Sequence, residues 1–162
     1  MTNINGSNDK RVDTYLTLLT SINNGIEDLL GTASRGVIFN HGVKEGRALG
    51  ESIQKTNTLT TAIEIVNQAY EGVWAVELYK KPEVDAIFFE DDLGQTSFRI
   101  MVRECPVRAA VTDKNLKQDG PLCHLSNGIL CGMLDEILGE KVGVDIEHTG
   151  PLACKKRLYF RK

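Results

Sequence analysis

The chain contains no apolar run near the ~20 residues that a membrane-spanning helix needs, and Met1 to Lys10 lack the apolar core of a signal peptide. The expectation is a cytosolic protein without membrane insertion, its residues 1–10 forming a flexible tail. An excess of one charge is missing as well. Nineteen basic against twenty-two acidic side chains leave −3, which gives no general attraction to phosphate backbones and argues against nucleic acid as the main partner. Nucleotide-binding signatures are absent: no G-x-G-x-x-G follows a strand and there is no G-x-x-x-x-G-K-S/T. The histidines are too scattered to set out a serine–histidine–acid order, and Glu90-Asp91-Asp92 reads as a solvated turn, so no catalytic residue is assigned. Repeats, linkers and low-complexity stretches are missing too. One domain spanning 1–162 follows, with 41% apolar and 25% charged residues, enough for a core without staples.

What is present changes period along the chain. Val12, Leu16, Leu19, Ile22, Ile26 and Leu29 recur at helical spacing and end near Gly31. A second helix over Asn40 to Ser52 carries Gly42, Gly46 and Gly50 on one side, which invites close approach by another backbone or a ligand. A third runs from about Thr61 to Tyr70, with capping-box spacing at Thr61 and Glu64 and a stop at Gly72. The period then becomes two: Trp74, Val76 and Leu78 alternate, a run from Val84 to Phe89 follows, and the two predict a hairpin. Beyond the turn Asp91 to Gly94, Phe98, Ile100 and Val102 predict a further strand. Helical spacing returns from Leu122 to Leu138, closed by Gly139, and Val142 to Ile146 with Leu158 and Phe160 predict a closing pair of strands. This order predicts an α+β fold with helices packed on one face of an antiparallel sheet. The basic cluster Lys155, Lys156, Arg157, Arg161 and Lys162 reads as the solvated face of the last strand.

The cysteines carry the functional signal. They stand at 105, 123, 131 and 154 with no C-x-x-C spacing, and in a reducing compartment thiols read as metal ligands, reactive groups or core before disulfides. Cys105 ends a strand, Cys123 begins a helix, and His148 and Cys154 flank one loop. Three thiolates and an imidazole suit tetrahedral zinc, so Cys105, Cys123, His148 and Cys154 form the candidate metal site. The other readings are small cysteines packing in the core, and a helix-start Cys123 made reactive by the helix dipole. Cys131 lies about 80° around the helix from Cys123 and is read as core. His124 could displace one ligand, whereas His41 is read as a surface or capping residue. Trp74, Phe88, Phe89, Phe98 and Met101 supply either an ordinary core or a pocket for an apolar ligand.

The run Phe39-Asn40-His41-Gly42-Val43-Lys44-Glu45-Gly46-Arg47-Ala48-Leu49-Gly50, with Cys105-Pro106-Val107, Cys123 to Gly132, and Ile146-Glu147-His148 to Cys154, resembles the 4-vinyl reductase domain family. The likeness covers most of the chain from Asn40 onward and is greatest to archaeal hydrocarbon-binding proteins. It implies a fold similar to the small vesicle-tethering (transport protein particle) subunits and to haem-based nitric oxide sensors, a small apolar ligand, a homodimer, and cysteines holding a metal. One departure stands out. Where the family has a cysteine shortly after a glutamate, this chain has Glu147 followed by His148, an exchange that keeps ligation possible and makes an iron–sulfur cluster less natural. The leading expectation is a binding protein with a structural zinc. Its rival is a vinyl or tetrapyrrole reductase, or an accessory to one, holding haem, another tetrapyrrole or flavin; the haem-sensor analogy does not make His41 a haem ligand.

Overall fold

The structure, a computed structural model, describes residues 4–80 and 86–161. Lys81-Pro82, the start of the second predicted strand and Lys162 therefore lie outside the described residues. Helix α1 spans Ile4–Leu30, so it begins inside the stretch expected to be a tail. A short 3-10 turn at Gly31–Ala33 leads into α2 (Ser34–Gly50), and α3 covers Leu59–Ala69. Thr58, rather than Thr61, is the residue before α3. Strands β1 (Ala75–Tyr79), β2 (Phe88–Glu90) and β3 (Thr96–Glu104) follow, then a short helix α4 (Arg108–Asp113) that the sequence pattern did not announce. Helix α5 (Pro121–Leu138) and the hairpin of β4 (Val142–Thr149) with β5 (Cys154–Phe160) complete the domain.

The sheet runs β1-β3-β5-β4, all antiparallel, with β2 also paired to β3. The predicted hairpin between β1 and β2 is therefore corrected. Val76 pairs with Val102 and Phe88 with Phe98, so both strands run antiparallel to β3 along the same edge, one after the other. Two strands antiparallel to a common neighbour point the same way and cannot be joined as a hairpin. The true hairpin is β2–β3, turned at Asp91 to Gly94, where Gly94 sits at φ +68° and the Asp91 carboxylate accepts the N–H groups of Leu93 and Gln95. Those bonds, Gln95 first, hold the Asp91 carboxyl below the usual range.

Period two delivers Phe98, Ile100 and Val102 to one face, where they meet Leu158 of β5, Val66 of α3 and Leu130, Met133, Leu134 and Ile137 of α5. The opposite face carries ion pairs: Arg99 with Glu147, Lys155 with Glu147, and Arg157 with Asp91. The β1 edge is covered from α3, because the Asn67 amide donates to Val76 O at 2.8 Å and accepts from Val76 N at 2.9 Å. An edge so paired no longer offers those backbone groups to another chain.

Helices α2 and α5 form the most extensive contact between elements among the described residues. A Cβ at Gly46 would stand 2.8 Å from the Ile129 carbonyl carbon, and one at Gly132 would stand 2.8 Å from Arg47 N. Both helices thus use glycine at the crossing, and of the two partners the spacing in α2 allowed, a backbone or a ligand, it is another backbone that approaches. Their cost in helix propensity, about 1 kcal/mol each, is offset by backbone packing that no side chain permits. Helix α5 lacks a side-chain cap of its own at Gly120. Buried Asn23 of α1 supplies one, its Oδ1 accepting Leu122 N at 2.9 Å.

Candidate functional site

The end of the sheet where β3 and β5 meet α4 and the first turns of α5 encloses a tight cavity. It leaves about 40 Å³ for the centres of water-sized molecules. Cys105, Cys123 and Cys154 all line it, together with Val107, Arg108, Val111, Gln118, Ser126, Asn127, Ile146, Thr149 and Lys156. Cys105 stands just past the end of β3, Cys123 lies in the first turn of α5, and Cys154 opens β5. Convergence of strand ends on a helix start thus brings together three of the four residues singled out from the sequence.

His148 is the exception. It is exposed and lines a neighbouring open groove with Arg35, Asp119, His124 and Arg161. The cause is a bulge in β4. Ile146 pairs with Lys156, His148 with Lys155 and Thr149 with Cys154, so Glu147 is the extra residue. Strict alternation would keep His148 on the side of Ile146; the inserted residue hands that side to Thr149, which lines the cavity instead. Among the described residues, no group of three or more His, Cys, Asp or Glu side chains stands where it could hold a metal ion.

The cavity also holds a residue the sequence reading had placed in solvent. Lys156 is 6% exposed and shares the inward face of β5 with Leu158, and its Nζ donates to Asn127 Oδ1 at 2.5 Å. Burial pushes its pKa down. The signal was present, since period two aligns Lys156 with Leu158 and Phe160, but a lysine within a basic cluster reads as a solvated one. Arg108 reaches over the rim: its Nη1 donates to Pro151 O at 2.6 Å, its Nη2 lies 4.0 Å from Cys154 Sγ, and its buried Nε–H has no acceptor among the described residues.

Burial pushes the Cys123 thiol up as well, the opposite direction from that expected of a dipole-activated nucleophile. Desolvation of a thiolate in this niche outweighs the backbone hydrogen bond at Asp119, which acts the other way. His124, half-buried, has its pKa lowered mainly by desolvation; its Nε2 lies 3.1 Å from Asp119 Oδ1 but off the line of a hydrogen bond. His41 is exposed beside Glu45. The aromatic residues do not gather into one pocket. Trp74 and Phe98 are core, Phe88 is exposed, and Phe89 lies on the opposite face beneath the Arg99 guanidinium, 4.1 Å away.

Cys131 is fully buried in the core, where desolvation raises its thiol to about 12. Iodoacetamide is expected to label Cys105 and Cys154 in the native protein and leave Cys131 untouched until unfolding, as peptide mapping would show. The folded value lies above the ordinary 9.0. The stability from keeping this thiol protonated is therefore complete below pH 9 and is lost as pH rises from about 9 towards 12. Urea unfolding of the wild type should weaken over that range more steeply than that of Cys131→Ala; parallel profiles would refute it.

No family model matches the sequence, and no curated protein matches it. The solved structures similar in fold include the phenol-responsive sensory domain of the transcription activator PoxR with phenol. The match has a TM-score of 0.60 at 14% identity and covers 90% of this chain and 74% of that one. At that identity the likeness is one of fold. Among the described residues, no helix is long and apolar enough to cross a membrane.

Proposed function

We propose that this chain is a small-molecule-binding module of the sensory kind, with its ligand in the thiol-lined cavity. The observation that carries this reading is the cavity itself: a partly enclosed space bounded by Val107, Val111 and Ile146 with a few convergent polar groups, built where β3, β4 and β5 meet α4 and α5. That a structure of the same fold is described as a phenol-responsive domain agrees with it. A tetrapyrrole, the requirement of the reductase reading, far exceeds a space of about 40 Å³.

Zinc is the second reading, favoured by three thiols facing one space. They are a chemically suitable soft donor set. The fit is incomplete, because His148 lies beyond the bulge and the Lys156 ammonium occupies the neighbourhood in which thiolates would gather. If a metal binds, Cys105, Cys123 and Cys154 would hold it, and its part would be to tie β5 to α5. Membership of the 4-vinyl reductase family rests on the residue pattern quoted above.

The homodimer has a candidate surface. The helical stripe of α1 is turned outward, with Tyr15 62%, Ile22 55% and Leu29 85% exposed, and Val12, Leu18 and Leu30 continue it. An apolar face this long is more than a scatter of single residues and suits a second copy of the chain.

Native mass spectrometry after gentle purification tests these readings together. A dimer carrying a small-molecule adduct is expected, dissociating to monomers in Leu18→Glu/Ile22→Glu; two zinc ions per dimer would add the metal. Adduct-free protein that neither retains nor takes up any small apolar compound would sink the ligand reading.

A further inference from the structure

We infer that the thiol-lined cavity takes a small organic anion, a short-chain carboxylate, held through Lys156 and Arg108. The inference deepens the ligand-binding reading and rests on it. Charge balance is the argument. Elsewhere the buried and half-buried cations have carboxylate partners: Arg35 with Asp119, Arg47 with Asp135, Arg99 with Glu147, and Arg157 with Asp91. The cavity breaks that pattern. Among the described residues, neither aspartate nor glutamate lines it, yet it holds two cations.

Lys156 has three N–H donors, and the acceptor found for them is one neutral amide oxygen, Asn127 Oδ1. A buried ammonium facing only neutral acceptors is poorly compensated. Arg108 repeats the deficit, since its Nε–H is buried without an acceptor while Nη1 is committed to Pro151 O. A carboxylate brings one negative charge and two oxygens with about four acceptor positions, which meets both needs at once. The rest of the lining sets the size and nature of the remainder. The space, about 40 Å³ for the centres of water-sized molecules, restricts the remainder to a short chain, and Val107, Val111 and Ile146 offer it an apolar wall. The open groove shares Asn127, Ile146 and Thr149 with the cavity, so a ligand arriving there lies next to Lys156.

Propionate and its neutral isostere propionamide are the probes, measured on the reduced full chain by isothermal titration calorimetry. Propionate is expected to bind at one site per chain about tenfold or more tighter than propionamide, and to slow alkylation of Cys154. Lys156→Met should lower propionate affinity about tenfold and leave propionamide within about threefold; Arg108→Gln, at the rim, gives a second variant should Lys156→Met fold poorly. Propionamide binding as tightly as propionate would overturn the anion assignment and leave the cavity a ligand site. Failure of both probes, and of phenol, to bind or to protect Cys154 would overturn the ligand reading with it.

Discussion

Gly132→Ala is expected to destabilise the protein by about 3 kcal/mol, and Gly46→Ala by a similar amount. At Gly132 the new methyl would meet the Val43 carbonyl oxygen and stand 2.8 Å from Arg47 N; at Gly46 it would meet the Ile129 carbonyl oxygen and stand 2.9 Å from Ile129 Cα. These obstacles are backbone. A side chain in the way could swing aside, but here α2 and α5 must separate, which loosens contacts from Gly42 to Gly50 and hence the attachment of α2 to the core. Gly25→Ala is the control. Nothing lies within 4 Å of its added Cβ, and it sits within α1, so alanine should be neutral or stabilising by about 0.5–1 kcal/mol. Urea unfolding followed by circular dichroism compares the variants. Equal effects at Gly25 and Gly132 would show that helix propensity, not the crossing, governs this pair.

The second large effect is expected at Asp135, with Asp135→Ala destabilising the protein by about 2–4 kcal/mol. Its side chain is 6% exposed, and its carboxylate accepts Val142 N at 2.6 Å and Arg47 Nε at 2.9 Å. One residue therefore ties α5 to the first residue of β4 and to α2. Removing it leaves a buried Val142 N–H without its acceptor. Arg47 is 42% exposed and can return to water, which keeps the loss below that of a fully enclosed pair. Asp135→Asn separates the contributions, because the amide oxygen still accepts from Val142 N. It should recover more than half of the lost stability; recovery of none would mean that charge, rather than the strand start, dominates.

Neither effect follows from residue type alone, though part of the glycine argument does. Glycines at four-residue spacing in α2 announced a close approach, and Gly128 and Gly132 in α5 had the same spacing without being read as its counterpart. Which helix they would meet depended on the chain returning after the sheet, a distance in sequence over which periodicity carries no information. Asp135 looked like one polar position in an apolar helix. Its role needs β4 to begin beside α5, which only assembly brings about.

The sequence by itself determined the order of the main elements other than α4, the helices on an antiparallel sheet, the glycine face of α2, the core position of Cys131 and the placing of Cys105, Cys123 and Cys154 at the ends of elements. Each follows from a local period or from a residue at the end of one. Tertiary structure decided the rest. It set β1 and β2 in line along β3, because edge pairing is chosen by what the edge offers and not by adjacency in sequence. It placed His148 outside the cavity through a single extra residue at Glu147, since a bulge shifts the phase of a strand without changing its composition. And it enclosed Lys156, whose period pointed inward all along, beneath a short helix and a helix start that no pattern in β5 could reveal.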